Sequence, residues 1–259
     1  MNFPWILSMM VGFLSLSQEI LWVRLIGFAF GGAPVAFAFV LTCYLVGIAL
    51  GAAVGKWMCD RSADLYRVSA FVLLAAALTD LLPPFIGGLL AERVIGATML
   101  LIAISIIITA AIKSVLFPIA HHLGSNQSGP RVGSSVSKIY FGNIIGSTLG
   151  PVVTGFYLLD VTTVDISFQI VACLSFGMAV LCAVWAENRT TLVATAGIGA
   201  VCAALAMWLP ASEFVRSSGD LWAGNVGDKT MSGHISNVIE NKHGVIHTVT
   251  MQGRDDDVI

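Results

Sequence analysis

The chain has 259 residues, of which 57% are hydrophobic and only 11% are charged, and its formal net charge is −2. Soluble domains carry about 25% charged residues, so this composition excludes an ordinary soluble protein, and the near-neutral charge predicts no nucleic-acid partner. A mean hydropathy of +0.88 indicates a membrane protein whose first partner is the lipid bilayer.

Seven apolar stretches follow one another between residues 1 and 209. Each has about the 20 residues that a helix needs to cross about 30 Å of hydrocarbon. The first is interpreted as a retained helix and not as a signal peptide, because no basic residue precedes it. The sequence therefore predicts an all-α polytopic membrane bundle of about seven transmembrane helices, at residues 4–29, 35–55, 68–90, 94–115, 139–159, 164–185 and 191–209.

Two places in this region are expected to be irregular. Asp80 and the pair Pro83-Pro84 interrupt the third span, because a proline inside a helix removes a backbone hydrogen bond. Residues 121–138 are rich in glycine, serine and asparagine, and we predict that they form the longest internal loop.

The basic residues between the spans indicate an orientation. If the N-terminus is cytoplasmic, the inner loops carry six Lys and Arg residues and the outer segments carry two, which is the distribution that the positive-inside rule favours. The inner residues are Lys56, Arg61, Arg67, Arg131, Lys138 and Arg189, and the outer ones are Arg93 and Arg216. We therefore expect a multi-pass protein of the cell (inner) membrane with a cytoplasmic N-terminus. Seven spans would then place the C-terminal tail outside the cytoplasm.

Residues 210–259 form a polar tail, which holds four of the 13 Lys and Arg residues and seven of the 15 Asp and Glu residues. Residues 235–240 and 245–251 are predicted to be strands, joined by a turn at 241–244. An isolated hairpin is only marginally stable in water. The tail is therefore expected to be an extramembrane segment that begins a domain which these residues do not complete.

Two of the spans carry glycines at every fourth position, which places the glycines along one helix face. Such small-residue stripes let helix backbones approach closely and pack in a membrane. The second and fifth spans hold equivalent places if spans one to three and four to six are repeats, as in many transporters. We favour a 3+3 repeat over chance, although glycine is common here, with 26 in the chain. The stripes are Gly47, Gly51 and Gly55, and Gly142, Gly146 and Gly150.

Five polar side chains within the apolar spans are candidates for a buried site. Ionisable groups in such spans cost about 2.5–3.5 kcal/mol each on insertion scales, so they usually face a bundle interior. Glu19 and Arg24 are five residues apart and point about 140° away from each other, so each needs a separate partner or water. Lys113, Asp80 and Asn143 are the candidate partners. Arg24 could instead extend to the interface, and for Lys113 this snorkelling is the default expectation.

No metal, disulfide or catalytic chemistry is indicated by the remaining residues. The five cysteines are scattered without metal-ligand spacing, and the pair His121-His122 lacks a third ligand nearby. We assign no catalytic residue, no cofactor site and no metal site to this chain.

Four segments show a resemblance to a known family. Residues 12–24, with Glu19 and then Trp22-x-Arg24, are similar to the first helix of membrane-bound spermidine synthase-like proteins, although Gln18 stands where that family usually has an aromatic residue. Residues 44–51 and 140–150 also resemble the family pattern. Residues 238–247 resemble the opening β-hairpin of the polyamine aminopropyltransferase domain.

The resemblance implies a membrane domain fused to a Rossmann-like domain that binds decarboxylated S-adenosylmethionine and a polyamine. Residues 252–259 hold neither the glycine-rich nucleoside loop nor the acidic base of that domain, so enzymatic activity stays uncertain. Two functions remain open. The chain is either the membrane-embedded part of a spermidine synthase-like protein, with a polyamine-like small molecule as a partner, or a small transporter-like or partner-binding subunit, with another protein or a second copy as its partner.

Overall fold

Helices make up nearly all of the described chain between residues 3 and 208. The computed structural model describes residues 3–29, 34–83, 95–126, 132–186, 188–208, 233–241 and 244–251. A π-helical turn, Thr154–Leu158, and a short helical turn, Leu159–Val161, follow the sixth helix. The helices are α1 (Phe3–Ala29), α2 (Pro34–Arg61), α3 (Leu65–Asp80), α4 (Ile95–Ser114), α5 (Leu116–Asn126), α6 (Val132–Val153), α7 (Val164–Trp185) and α8 (Arg189–Trp208).

Five helical segments among the described residues are long and apolar enough to cross a membrane. They are Phe3–Gly27, Pro34–Arg61, Met99–Ser125, Gly133–Val161 and Val164–Trp185. This confirms the prediction of a helical protein with several helices long and apolar enough to span a membrane. The count of seven stays a prediction. The third predicted span overlaps α3, which has 16 residues, and the end of that span at residues 84–90 lies outside the described residues.

The prediction of a loop at residues 121–138 is wrong for most of these residues. Helix α5 continues to Asn126 and α6 already begins at Val132, while residues 127–131 lie outside the described part. Serine does not break these helices because its hydroxyl group bonds to a carbonyl group of the same helix. Ser137 Oγ, for example, donates to the Gly133 carbonyl oxygen at 2.6 Å.

Three helix pairs form the most extensive contacts of the bundle: α1 with α6, α2 with α4, and α3 with α7. The interior between them is mostly apolar, and α1 contributes Leu7, Leu14 and Leu21, each at most 1% exposed. Trp22 of α1 packs edge-on against Phe168 of α7, with ring centroids 5.7 Å apart. Helix α1 is therefore a central element, in contact with α2, α4, α5, α6 and α7.

The glycine stripe of α2 faces α4. The stripe positions are Gly47, Gly51 and Gly55. A Cβ atom added at Gly51 would collide with the Ala111 carbonyl group, and one at Gly55 would lie 2.5 Å from the Val115 carbonyl oxygen. Only a residue without a side chain lets the two backbones pack this closely.

The glycine stripe of α6 faces α1 in the same manner. The stripe positions are Gly142, Gly146 and Gly150. A Cβ atom at Gly146 would collide with the Met9 carbonyl group, and one at Gly150 would lie 2.5 Å from the Phe13 carbonyl oxygen. Each stripe thus lies in one of the three main helix contacts.

Beyond α8 the structure describes the backbone of two strands. Strand β1 (Gly233–Asn241) pairs with β2 (Gly244–Met251) in antiparallel orientation, with a register shift between Ile235 and Asn237. These bounds include the two predicted strands. A stable hairpin in this place stays a prediction, and its test is given below.

Replacing Gly51 or Gly146 with leucine should lower the thermal stability of the protein in detergent. The added side chain forces packed backbones apart, and overpacking of this kind costs about 1–3 kcal/mol or more. Gly177→Leu is the matched control, since Gly177 is exposed on α7 and a Cβ atom there meets nothing within 4 Å. Thermal midpoints of all three variants that equal the wild-type value would contradict this account of the stripes.

Candidate functional site: a buried ion pair

Five helices each contribute one polar side chain to a single place inside the bundle. These side chains are Gln18 of α1, Tyr44 of α2, Asp80 of α3, Lys113 of α4 and Ser175 of α7. None of them is more than 1% exposed. We call this group the polar cluster.

Asp80 is the centre of the polar cluster. Its Oδ1 atom accepts from Lys113 Nζ at 2.9 Å and from Gln18 Nε2 at 2.6 Å. Its Oδ2 atom accepts from Ser175 Oγ at 3.1 Å. The carboxylate therefore has an ion-pair partner and two further donors, which is the arrangement that a buried charge requires.

Gln18 connects the ion pair to α2. Its amide nitrogen donates to Asp80, while its Oε1 atom lies 3.5 Å from the Tyr44 hydroxyl group. The same hydroxyl group donates to the Ser15 carbonyl oxygen at 2.5 Å. Lys113 Nζ also lies 3.5 Å from the Leu14 carbonyl oxygen. The cluster is thus bonded to side chains and to the backbone of α1.

Asp80 lies at a position in α3 where a negative charge is unfavourable. Asp80 is the last residue of α3, and the negative end of a helix dipole disfavours a carboxylate by about 0.3–1 kcal/mol. Its charge is therefore compensated by groups from other helices and not by its own. Such local conflicts are expected at functional sites.

The helical segment that carries Lys113 has a local irregularity two residues after it, at Val115. Helix α4 ends at Ser114 and α5 begins at Leu116, and Pro118 lacks the N–H that an unbroken helix would use. The Val115 N–H still donates to the Ala111 carbonyl oxygen at 3.2 Å.

The structure brings together two of the five residues that the sequence analysis singled out, Asp80 and Lys113. The expected snorkelling of Lys113 is wrong, because its amine is buried against Asp80. Glu19 is half-buried and makes no hydrogen bond or ion pair with the residues that the structure describes. Arg24 is also half-buried. Asn143 lies beside Gly12, at the contact between α6 and α1.

Three members of the polar cluster were missed. The sequence could have identified Gln18, because an amide side chain in an apolar span is costly to bury without a partner. Tyr44 lies in the middle of the second span, where a hydroxyl group needs a partner. Nothing in the sequence distinguishes Ser175, because serine is common in membrane helices and its hydroxyl group can bond to its own helix.

The chemistry that this arrangement permits is the binding of a positive charge. Asp80 already holds one cation, the Lys113 ammonium group, at 2.9 Å. The described residues include no group of three or more His, Cys, Asp or Glu side chains that could hold a metal ion. Comparisons with protein-family models, curated proteins and solved structures give no match for this chain. The spermidine synthase-like resemblance therefore stays a prediction.

Lys113→Met should destabilise the protein by about 3–5 kcal/mol, because it leaves the Asp80 carboxylate buried without its counter-ion. The double variant Asp80→Asn with Lys113→Met removes both charges and should recover most of that loss. Chemical or thermal unfolding in detergent measures both effects. Lys138→Met, at an exposed position of α6, is the control. Equal losses in Lys113→Met and in the double variant would show that the ion pair is not what compensates Asp80.

Proposed function

We propose that the bundle is a small transporter-like membrane module in which an amine cation binds Asp80 in competition with Lys113. The observation that carries this proposal is the ion pair at 2.9 Å, buried where α1, α2, α3, α4 and α7 meet. A cation that displaces the Lys113 ammonium group keeps the Asp80 carboxylate paired, and the buried site stays neutral when Lys113 releases its proton as the cation enters. A polyamine-like compound, the small molecule that the resemblance implies, has the required charge.

The pattern of helix contacts supports two repeated halves. In the proposed halves α1, α2 and α3 correspond to α4 (continued by α5), α6 and α7. The first helix of each half then packs on the second helix of the other half, since α1 packs on α6 and α4 packs on α2. The third helices of the two halves, α3 and α7, pack on each other. A two-fold relation between the halves produces this exchange.

The register of the glycine contacts agrees with the same relation. Ala111 and Val115 lie opposite successive glycines of α2, and Met9 and Phe13 lie opposite successive glycines of α6. Residue numbers rise together along both helices of each contact, so each pair runs parallel. Three helices per half is an odd number, so the second half would begin on the opposite side of the membrane. Inverted repeats of this kind place substrate sites at their interface, where the polar cluster lies.

Transport should depend on the Asp80 carboxylate. The purified protein reconstituted in liposomes should take up labelled putrescine, used as a diamine probe, and Asp80→Asn should reduce uptake to the level of empty liposomes. Asp60→Asn, at an exposed position near the end of α2, should transport like the wild type. Uptake that survives in Asp80→Asn, or that is absent in the wild type for every amine tested, would contradict the proposal.

A second candidate function follows from the tail. As the membrane-embedded part of a spermidine synthase-like protein, the bundle would anchor or serve an aminopropyltransferase-type domain. The paired strands β1 and β2, which follow α8 and lie where that domain would begin, favour this function. We propose further that the protein lies in the cell (inner) membrane with its N-terminus in the cytoplasm, and that the tail stands outside the membrane.

Residues 235–251 should exchange their backbone amide hydrogens much faster than α6 does. In the described residues the two strands contact mainly each other, so we expect the hairpin to bury little apolar surface and to open locally at little cost in free energy. Hydrogen exchange with mass spectrometry on the detergent-solubilised protein compares the two segments directly. Protection of the tail equal to that of α6 would mean that the hairpin is docked on the bundle or on a partner.

A further inference from the structure

Lys113 is the one charged donor in the polar cluster. It donates to Asp80 Oδ1 at 2.9 Å, and its Nζ atom also lies 3.5 Å from the Leu14 carbonyl oxygen. Gln18 and Ser175 donate to Asp80 as well, but their amide and hydroxyl groups are neutral. An amine cation can therefore replace Lys113 at Asp80 while both neutral donors keep their hydrogen bonds.

A displaced Lys113 ammonium group has no second carboxylate within the polar cluster, because Asp80 is the only one among its members. Glu19 follows Gln18 on α1, and successive residues of a helix point about 100° apart. Glu19 therefore does not share the direction in which Gln18 reaches Asp80. A buried ammonium group without a counter-ion is strongly unfavourable, and such a group loses its proton instead of staying charged.

The packing of α4 keeps Lys113 away from the membrane surface. Ala111 and Val115 lie two residues before and after it, and their carbonyl groups lie so close to Gly51 and Gly55 of α2 that no Cβ atom fits between them. This backbone contact fixes the position of α4 along α2. The Lys113 side chain is 2% exposed, so a displaced amine stays inside the bundle.

We propose that the bundle exchanges one amine cation for one proton at Asp80, with Lys113 as the residue that carries the proton. This inference rests on the proposed function, because it requires that an amine binds Asp80. In the structure Lys113 occupies the site as a built-in cation, and in the amine-bound state it is a neutral amine. A proton gradient across the membrane then drives the amine in the opposite direction.

The exchange balances in protons and in charge. One N–H bond of the Lys113 ammonium group breaks, and its proton passes to water on the side from which the amine enters. The incoming ammonium group forms the hydrogen bond to Asp80 Oδ1 that Lys113 gives up. The site is neutral before and after, because the Asp80 carboxylate always faces one cation. When the amine leaves, Lys113 takes up a proton and pairs with Asp80 again.

The contacts of Lys113 define the class of ligand that replaces it. Its ammonium group directs N–H donors toward Asp80 Oδ1 and the Leu14 carbonyl oxygen. The members of the polar cluster are at most 1% exposed, so the place that Lys113 vacates is about the size of one ammonium group. A primary alkylammonium ion meets both requirements, whereas a quaternary ammonium ion has the charge but no N–H donor.

The helices that pack against α4 carry other titratable groups near the pair. Besides Asp80 on α3, these are Tyr44 on α2 and Glu19 on α1. The Tyr44 hydroxyl group uses its hydrogen on the Ser15 carbonyl oxygen. On α5, His121 and His122 follow Lys113 at a distance of about 12 Å along the helical segment. Glu19 is thus the competing proton source that an experiment must separate from Lys113.

Calorimetric titration of the purified protein in detergent counts the protons. Butylammonium is the probe, because it carries a single charge and, like lysine, stays protonated well above neutral pH. Titrations in buffers of different ionisation enthalpy should show about one proton released per amine bound, and the apparent Kd should fall about tenfold for each unit by which the pH rises. Tetramethylammonium should not bind.

Two variants identify the residue that releases the proton. Lys113→Arg keeps a cation beside Asp80, but a guanidinium group does not lose its proton in proteins, so butylammonium should bind at least about a hundredfold more weakly. Lys138→Arg, at an exposed position of α6, is the matched control and should bind like the wild type. Glu19→Gln should still release about one proton per amine bound.

The possible results separate this inference from the proposed function. Amine binding by the wild type without proton release, or undiminished binding by Lys113→Arg, would overturn the exchange and leave amine binding at Asp80 intact. Loss of proton release in Glu19→Gln would assign the proton to Glu19 and overturn the role of Lys113. If the wild type binds no amine at any pH at which it stays folded, the proposed function fails, and the exchange fails with it.

Discussion

The burial of the Asp80 charge is the constraint on which the rest of the structure depends. A carboxylate removed from water loses several kcal/mol of solvation, and only a close counter-ion with further hydrogen bonds restores it. Lys113 comes from α4, Gln18 from α1 and Ser175 from α7. Four helices must therefore lie within hydrogen-bond distance of one another at this level, and Tyr44 connects a fifth through Gln18.

The glycine stripes make this convergence possible. Lipid gives helices no hydrophobic reason to associate, so close van der Waals packing must hold them together. Gly51 lies against Ala111, two residues before Lys113, which sets the position of the lysine relative to α2. Gly150 lies 3.1 Å, measured from an added Cβ atom, from the Ser17 hydroxyl oxygen and so next to Gln18. The two stripes thus position α1 and α4, which supply the Gln18 and Lys113 donors to Asp80.

Several features of the site do not contribute to the stability of the fold. Asp80 stands at the unfavourable end of its helix, and Trp22 of α1 keeps a buried donor without a partner among the described residues. An apolar replacement of a buried ion pair is often as stable as the pair. These unfavourable features occur together in one region, which favours a site that binds and releases charge.

The sequence by itself determined that the chain forms helices long and apolar enough to span a membrane, because the length and hydropathy of a span are local properties. It also identified Asp80, Lys113 and the glycine stripes as exceptional, since charge and missing side chains are visible without neighbours. Only the tertiary structure decided which residues meet. Gln18 and not Glu19 contacts Asp80, because successive residues on a helix point about 100° apart and the neighbouring helices select one direction. Ser175, ordinary in its own helix, became a ligand of Asp80 only because α7 packs against α3.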